Sequence, residues 1–400
     1  MPPSTTTKTK KIMSFLDSCM EDLPVHVMDN ILSRLPIKTI IRCKCVCKKW
    51  LDHISDSYFA NIQLSRSPTG LMIHSENNKF GHPSPGLLNW IEVEDKFDHH
   101  HLHHDPVMNL DLNLTSIFQK SQIKLVGSVN GLLCLWQYAP ESDNTYICNP
   151  ITREYMILPR QQYYRESIAI IVYCFGVGSL TREYKVIRIF QGNIPHDPTS
   201  KSRPSLVEAE VYTLGTGEWR SLGHAPYLLK GFHGPFLNGH AHWIVVDEDS
   251  PEKLCAFDFD NETFELFPSP PSEARDKSWI YKSVGVLKGC LCQCDTYDSK
   301  FTVWVMKEYG IKKSWYKELV MQQSINPNHD LLTMETMYII KGLKDGTILM
   351  ASCRSNLHAY CPRRKIVIDT ERFDYNMEGY TYRPSFHRLH NFKHERVHKF

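Results

Sequence analysis

Apolar residues recur every four positions at Leu23, Val27, Ile31 and Leu35, a spacing that puts them on one face of a helix. Pro24 suits a first helical turn, where its missing N–H is no loss, and Pro36 stops the pattern. Ile37, Ile40 and Ile41 predict a second short helix. Val46, Cys47, Trp50, Leu51 and Ile54 predict a third, and Tyr58, Phe59 and Ile62 a fourth. This helical zone spans residues 19–65. A unit so small buries little area by itself, so it is expected to lean on a partner or a neighbouring domain.

From residue 66 to 385 the pattern changes to short apolar runs broken by Gly, Pro, Asn and Asp. A glycine precedes such a run at Gly131, Gly239, Gly289 and Gly346, in steps of 108, 50 and 57 residues. The long step holds two units, with a weaker match near Cys174 to Gly178, and a further unit starts near Gly70. Each unit then reaches a polar turn followed by an aromatic residue. Examples, each with the strand before the turn, are Tyr146 to Tyr155, Val211 to Trp219, Ala256 to Phe264 and Val303 to Trp315. Asn, Asp, Thr and Gly supply the turn conformations. A repeat near 50 residues built of short antiparallel strands predicts the blades of a β-propeller, about five or six of them. A pair of β-sandwiches is the alternative, but it needs no fixed period.

Composition narrows the class. Hydrophobic residues make up 42% of the 400-residue chain, enough for a substantial core. Lys and Arg (46) nearly balance Asp and Glu (44), so there is no general attraction to nucleic acid or anionic membrane. The 13 cysteines show no small disulfide-framework spacing, and several sit in apolar runs, as in a reducing compartment. Residues 1–18 are polar, with no apolar core of a secretory signal; Ser and Thr are frequent and no acid precedes Asp17, a weak organelle-targeting pattern, but a disordered tail is the expectation. No apolar run is long enough to span a bilayer, so the expected location is nucleus, cytoplasm or both.

The stretch Leu23-Pro24, Ile31-Leu32, Arg34-Leu35-Pro36, Ile41-Arg42, Cys45-Val46-Cys47-Lys48, Trp50, Ile54 and Phe59 resembles the F-box family. Thr39 and Ile40 replace the commoner Ser-Leu there, and Cys43 replaces a commoner Phe. The longer zone resembles the F-box-associated domain of plant F-box proteins, a kelch-like β-propeller. That resemblance rests on Gly127-Ser-Val-Asn-Gly-Leu-Leu-Cys, Cys148-Asn-Pro-Ile-Thr-Arg, Phe236-Leu-Asn-Gly-His-Ala-His-Trp, Ala256-Phe-Asp-Phe and Val303-Trp-Val-Met. The resemblance implies an α+β multidomain chain: a small all-α F-box followed by an all-β propeller-like domain, with 386–400 as a basic tail. It implies a non-catalytic receptor subunit of a ubiquitin ligase, bound to a Skp-family adaptor and through it to a cullin. The residues matching the family's adaptor contacts are Leu23, Pro24, Ile31, Leu35, Pro36, Val46 and Trp50, some of which must also hold the small domain together. Trp50 fits a binding hot spot and a core residue equally well. The propeller would bind an unidentified protein substrate. An F-box scaffold without substrate degradation is the alternative, and a propeller enzyme with an appended helical domain is a third.

Other clusters have plainer readings. His99, His100, His101, His103 and His104, beside Asp98 and Asp105, lack regular ligand spacing and read as a solvated loop. Cys290, Cys292 and Cys294 alternate, so on a strand they share one packed face. Cys43, Cys45 and Cys47 read as packing residues. No Walker loop or local catalytic signature occurs, so no cofactor, metal or catalytic residue is expected. The His- and Arg-rich end, from Arg383 to Lys399, reads as a closing strand around Phe386 and Leu389 followed by a solvated terminus rather than a nucleic-acid contact. Residues 95–106 and 190–207 are long polar insertions: candidate substrate-contact loops, read first as disordered excursions.

Overall fold

The computed structural model describes residues 23–75, 86–93, 108–118, 121–139, 142–160, 170–192, 206–246, 253–271, 281–297, 300–322, 336–352, 356–372, 377–392 and 394–400. Four helices come first: α1 (Val25–Leu32), α2 (Ile37–Cys43), α3 (Lys48–Ile54) and α4 (Ser57–Arg66). Pro24 and Pro36 sit at the N-caps of α1 and α2 with φ of −56°, the angle the proline ring imposes. Asp56 caps α4, its side chain accepting from the Tyr58 N–H at 2.8 Å.

The strands then form six antiparallel sheets, the blades of a propeller. Blade one holds β1 (Gly70–Ser75), β2 (Leu87–Ile91) and β3 (Met108–Asp111). Blade two holds β4 (Gln122–Val129), β5 (Leu132–Ala139), β6 (Ser142–Asn149) and β7 (Glu154–Ile157). Blade three holds β8 (Ile170–Val177), β9 (Tyr184–Gly192), β10 (Leu206–Thr213) and β11 (Trp219–His224). Blade four begins with a broken strand, β12 (Leu229–Lys230) and β13 (Phe236–Leu237), and continues with β14 (His240–Val245), β15 (Leu254–Asp258) and β16 (Thr263–Phe267). Blade five holds β17 (Tyr281–Leu287), β18 (Cys290–Tyr297), β19 (Lys300–Met306) and β20 (Trp315–Gln322). Blade six holds β21 (Met337–Gly342), β22 (Ile348–Ser352), β23 (Asn356–Cys361) and β24 (Ile366–Arg372). The chain then returns: β25 (Met377–Tyr382) becomes the innermost strand of blade one, and β26 (Val397–Lys399) the outermost strand of blade two.

Local chemistry sets the hairpins. Asn130-Gly131, Asn238-Gly239 and Lys288-Gly289 each have two consecutive positive φ angles, from 50° to 83°, the geometry of a type I′ turn. These turns join the first and second strands of blades two, four and five, so the recurring glycines belong to the turn and precede the second strand. Between third and fourth strands the same side-chain device recurs. Asn149 Oδ1 accepts from the Ile151 N–H at 2.9 Å, and Asp258 Oδ1 from the Asp260 N–H at 2.7 Å. The aromatic after the turn ties one blade to the previous one. Trp219 Nε1 donates to Pro159 O at 2.8 Å, and Trp315 Nε1 to Pro268 O at 3.1 Å.

Neighbouring inner strands touch around the ring: β25 with β4, β4 with β8, β8 with β13, β17 with β21 and β21 with β25, while blade four meets β17 through β14. The ring is therefore closed by β25, which pairs with β1 from Gly70↔Tyr382 to Ser75↔Met377. Antiparallel alternation sends the first-to-second and third-to-fourth turns of every blade to one face, called here the near face. The helices sit on that face. Ile41 and Leu51 border the same cleft as the Pro150–Glu154 turn and Met108.

One core cluster joins the two parts. It contains Met28, Leu32, Ile37, Ile40, Ile54 and Phe59 of the helices with Met72, Trp90, Leu110 and Tyr146 of blades one and two, and Tyr382 and Phe386 from the chain end. The last residues therefore do not leave the domain as a solvated basic end. Asn149 Nδ2 donates to Ser385 O at 3.0 Å and His387 O at 2.7 Å, and β26 pairs with β7 through Val397↔Met156. Glu395 Oε1 accepts from Tyr212 Oη at 2.6 Å and from the Gly215 N–H at 2.7 Å. Backbone pairing and buried carbonyls outweigh the polar composition of this segment. Phe386 itself lies in coil, not in the closing strand expected there.

Phe386 is 1% exposed between the helices and the ring. Phe386→Ala is expected to lower the free energy of unfolding by about 3–5 kcal/mol in urea denaturation, as large-to-small core substitutions do. A loss within about 0.5 kcal/mol, the range of ordinary surface changes, would contradict its place in the core.

Candidate docking face of the helical domain

The helical domain has two apolar sides. On the inner side, Met28 and Leu32 of α1, Ile37 and Ile40 of α2, Ile54 of α3 and Phe59 of α4 are buried. Away from that core, Ile31 is 43% exposed and Val46 53% exposed, Val25 and Tyr58 are exposed as well, and the exposed Ile41 and Leu51 line the cleft toward the near face. The four-residue spacing from Leu23 to Leu35 therefore does not mark the buried face of one helix. Leu23 and Leu35 flank α1, and Val46 and Cys47 precede α3 rather than lying within it.

The seven residues expected to contact an adaptor separate into two sets. Leu23, Leu35 and Trp50 are half-buried and packed against the core cluster. Pro24, Ile31, Pro36 and Val46 are exposed. Trp50 thus packs on the core while part of its side chain stays exposed. Val25 and Tyr58 are exposed apolar residues outside the set that the family resemblance singled out for adaptor contact, as are Ile41 and Leu51, which border the cleft. Their exposure depends on which side the ring covers, and no local pattern carries that information. Of the three nearby cysteines, Cys43 packs on the core, while Cys45 is exposed and Cys47 is half-buried at the N-cap of α3.

Polar contacts tie α1 to the other helices. Asp29 Oδ1 lies 2.8 Å from His53 Nε2, linking α1 to α3. Arg66 Nη1 donates to Ser33 Oγ at 2.6 Å and Asn30 Oδ1 at 3.1 Å, linking α1 to α4. Between α2, α3 and the near face lies a cleft of about 670 Å³. The buried Glu154 anchors its floor, accepting from the Leu389 N–H at 3.0 Å and facing Arg388 Nε at 3.4 Å. Lys44 Nζ sits 4.8 Å from the centroid of the Phe386 ring. Burial, and after it the charge of Arg388, lower the Lys44 pKa. The helices are thus fastened to the ring through the returning chain end.

The groups a catalyst or metal would use have other surroundings. Among the described residues, no three His, Cys, Asp or Glu side chains are placed to hold a metal ion. Cys292 and Cys294 lie buried in the core of blade five with Val303 and Val305. Hydrogen bonding to Cys294, and burial, keep the Cys292 thiol protonated. Burial pushes the Cys255 thiol up to about 12. Burial also holds His242 down at about 3, and its Nε2 lies 2.7 Å from Tyr309 Oη. Among the described residues, no helix is long and apolar enough to cross a membrane. The His99–His104 tract, residues 1–18 and the 95–106 insertion lie outside the described residues. Of 190–207 only the ends are described, within β9 and β10.

Residues 20–61 match the model of the F-box domain, and residues 92–386 match that of the F-box associated beta propeller domain. The ring extends past the second match on both sides, since β1, β2 and β26 fall outside it. Among curated proteins, the chain is 28% identical to F-box protein At3g07870 of Arabidopsis thaliana, over 86% of this chain and 85% of that one. It is 25% identical to the F-box/kelch-repeat protein At3g23880 of Arabidopsis thaliana, over 85% and 87% of the two chains. It is 27% identical to F-box protein CPR1 of Arabidopsis thaliana, over 76% and 74%. With a helical domain that leaves one apolar side uncovered, a closed six-bladed ring and both family matches, the chain belongs to the F-box proteins that carry an F-box associated β-propeller domain.

Proposed function

We propose that this chain is the substrate-recognition subunit of a Skp–cullin–F-box ubiquitin ligase, working in the nucleus or cytoplasm. The observation that carries the reading is the two-sided helical domain. Its inner side is spent on the ring, and its outer side still presents Ile31 and Val46, with Pro24 and Pro36 beside them at the helix starts. A second protein covering that side would remove the exposed apolar area from water, the usual driving force of a stable interface. A Skp-family adaptor is the partner that the F-box implies, with a cullin beyond it.

The mechanism is tethering. The propeller holds the protein to be marked, and the adaptor and cullin hold a ubiquitin-loaded conjugating enzyme. Bringing a substrate lysine near the thioester raises its effective concentration, and no side chain of this chain takes part in the bond making. Such a role needs a stiff joint between F-box and propeller. The shared core cluster, the Asp29–His53 contact and the Lys44–Phe386 contact supply one.

Co-purification with a Skp-family adaptor tests this reading. The Ile31→Asp, Val46→Asp double variant, altered only at exposed positions, is expected to bind at least about 100-fold more weakly, since two central apolar contacts are each worth about 2 kcal/mol at a hot spot. Its melting temperature is expected to match that of the parent chain. Unchanged adaptor binding by the double variant would refute the docking face. In cells, the same variant is expected to lengthen the half-life of proteins captured by the propeller. An unchanged half-life despite lost adaptor binding would favour a scaffold without substrate turnover.

A further inference from the structure

The cleft of about 670 Å³ between the helices and the near face holds a charge that folding does not explain. Five cations line it: Lys38 of α2, Lys44 just after α2, Arg153 in the turn before β7, Arg388 in the returning chain and Lys399 of β26. They meet two carboxylates, Asp52 of α3 and Glu154 of β7. The chain as a whole is nearly balanced, with 46 Lys and Arg against 44 Asp and Glu, so the excess is local to the cleft.

Little of that charge is neutralised within the protein. The Glu154 carboxylate is already shared: it faces Arg388 Nε at 3.4 Å and His390 Nδ1 at 3.5 Å, and it accepts from the Leu389 N–H at 3.0 Å. Among the described residues, Lys38, Lys44, Arg153 and Lys399 have no ion-pair partner. Instead the cations act on each other. Burial, then the charge of Arg388 and, more weakly, that of Lys399 lower the Lys44 pKa, against the pull of Glu154. Like charges confined without partners oppose folding. Three separate stretches of chain nevertheless bring them to one hollow: α2 with its cap, the turn before β7 and the chain end. Its walls are partly apolar, with Ile41, Leu51 and Ile151, and a cleft of one sign with such walls focuses its field on what enters. The volume suits a small molecule, for which sites run roughly 300–1,000 Å³.

We propose that this cleft binds a compact small-molecule polyanion, carrying several phosphate or carboxylate groups, which fastens the F-box to the ring by bridging Lys38 and Lys44 on one side to Arg153, Arg388 and Lys399 on the other. Arg153 and Arg388 offer the planar fork that pairs with either group, and the lysines add point charges. A single inorganic anion leaves most of the volume and most of the charge unanswered. A nucleic acid asks for a track of cations along an open surface, with aromatic faces for its bases, whereas these cations converge on one hollow. The site stands apart from the ligase reading, since it needs neither adaptor nor substrate.

The test is calorimetric titration of the full chain, without adaptor and at about physiological salt, with tripolyphosphate as the phosphate probe and citrate as the carboxylate probe. At least one probe is expected to saturate a single site per chain, and the tighter of the two names the chemistry of the ligand. Lys38→Glu and Arg153→Glu, on opposite sides of the cleft, are each expected to weaken that probe about tenfold or more. Lys312→Glu, on an exposed turn of blade five, is expected to leave it unchanged. The Lys38 and Arg153 side chains are exposed, and removing a repelled cation leaves the melting temperature of the unliganded chain no lower than that of the parent. Saturation by neither probe, or binding indifferent to both charge reversals, would overturn the proposal. So would a single-stranded RNA oligonucleotide held more tightly than either probe and lost with the same two variants.

Discussion

The pairing of β25 with β1 is the contact on which the rest of the structure depends. Six blades cannot cover each other's faces unless the first and last are joined, and this chain joins them by giving its last inner strand to its first blade. The register from Gly70↔Tyr382 to Ser75↔Met377 also fixes where the helices enter, because α4 ends just before β1 starts. Past Tyr382 the chain crosses the near face, with Ser385 Oγ donating to Asn130 O at 2.9 Å. There is little slack. A Cβ on Gly131 would meet the Ser385 backbone nitrogen at 2.7 Å. Closure, the seat of the F-box and the burial of the polar chain end are therefore one cooperative arrangement.

The division of labour follows from that arrangement. The F-box and the returning chain together cover the near face at blades one and two. The F-box, in turn, gains a fixed orientation by burying one side in the ring. Polar pairs such as Asp29–His53 sit on that side, and removing one member would leave the other without its partner at a cost of about 1–3 kcal/mol. The outward side carries no such obligations, which is why changes there report on partner binding rather than on folding.

Much of the fold was legible in the sequence because its signals are local. The Asn-Gly turns at 130 and 238 act within a few residues of themselves, and the aromatics at 219 and 315, though they bond to the previous blade, follow their turns at a short fixed distance, so both repeat visibly. Blade three was faint for a physical reason: its first hairpin lacks the two-residue turn. Instead Asp260 of blade four holds it, accepting from Thr181 N at 2.9 Å and from Leu180 N at 3.1 Å. The role of the last residues was not legible, since Val397–Lys399 shows no apolar alternation and pairs with residues far back in the chain. The exposed apolar side of the helices was half legible. Family-matching positions included Ile31 and Val46, but the exposure of Val25 and Tyr58, and the inward lean of Leu23 and Leu35, depend on which side the ring covers.

Hydrogen–deuterium exchange of the full chain, with and without a Skp-family adaptor, tests the central claim most directly. The account holds that the ring buries one side of the F-box and leaves the other for the adaptor. It predicts new protection in Val25–Leu32 and across residues 44–51, with the inner strands of the blades unchanged. Protection confined to the blades, with the helices unaffected, would contradict it.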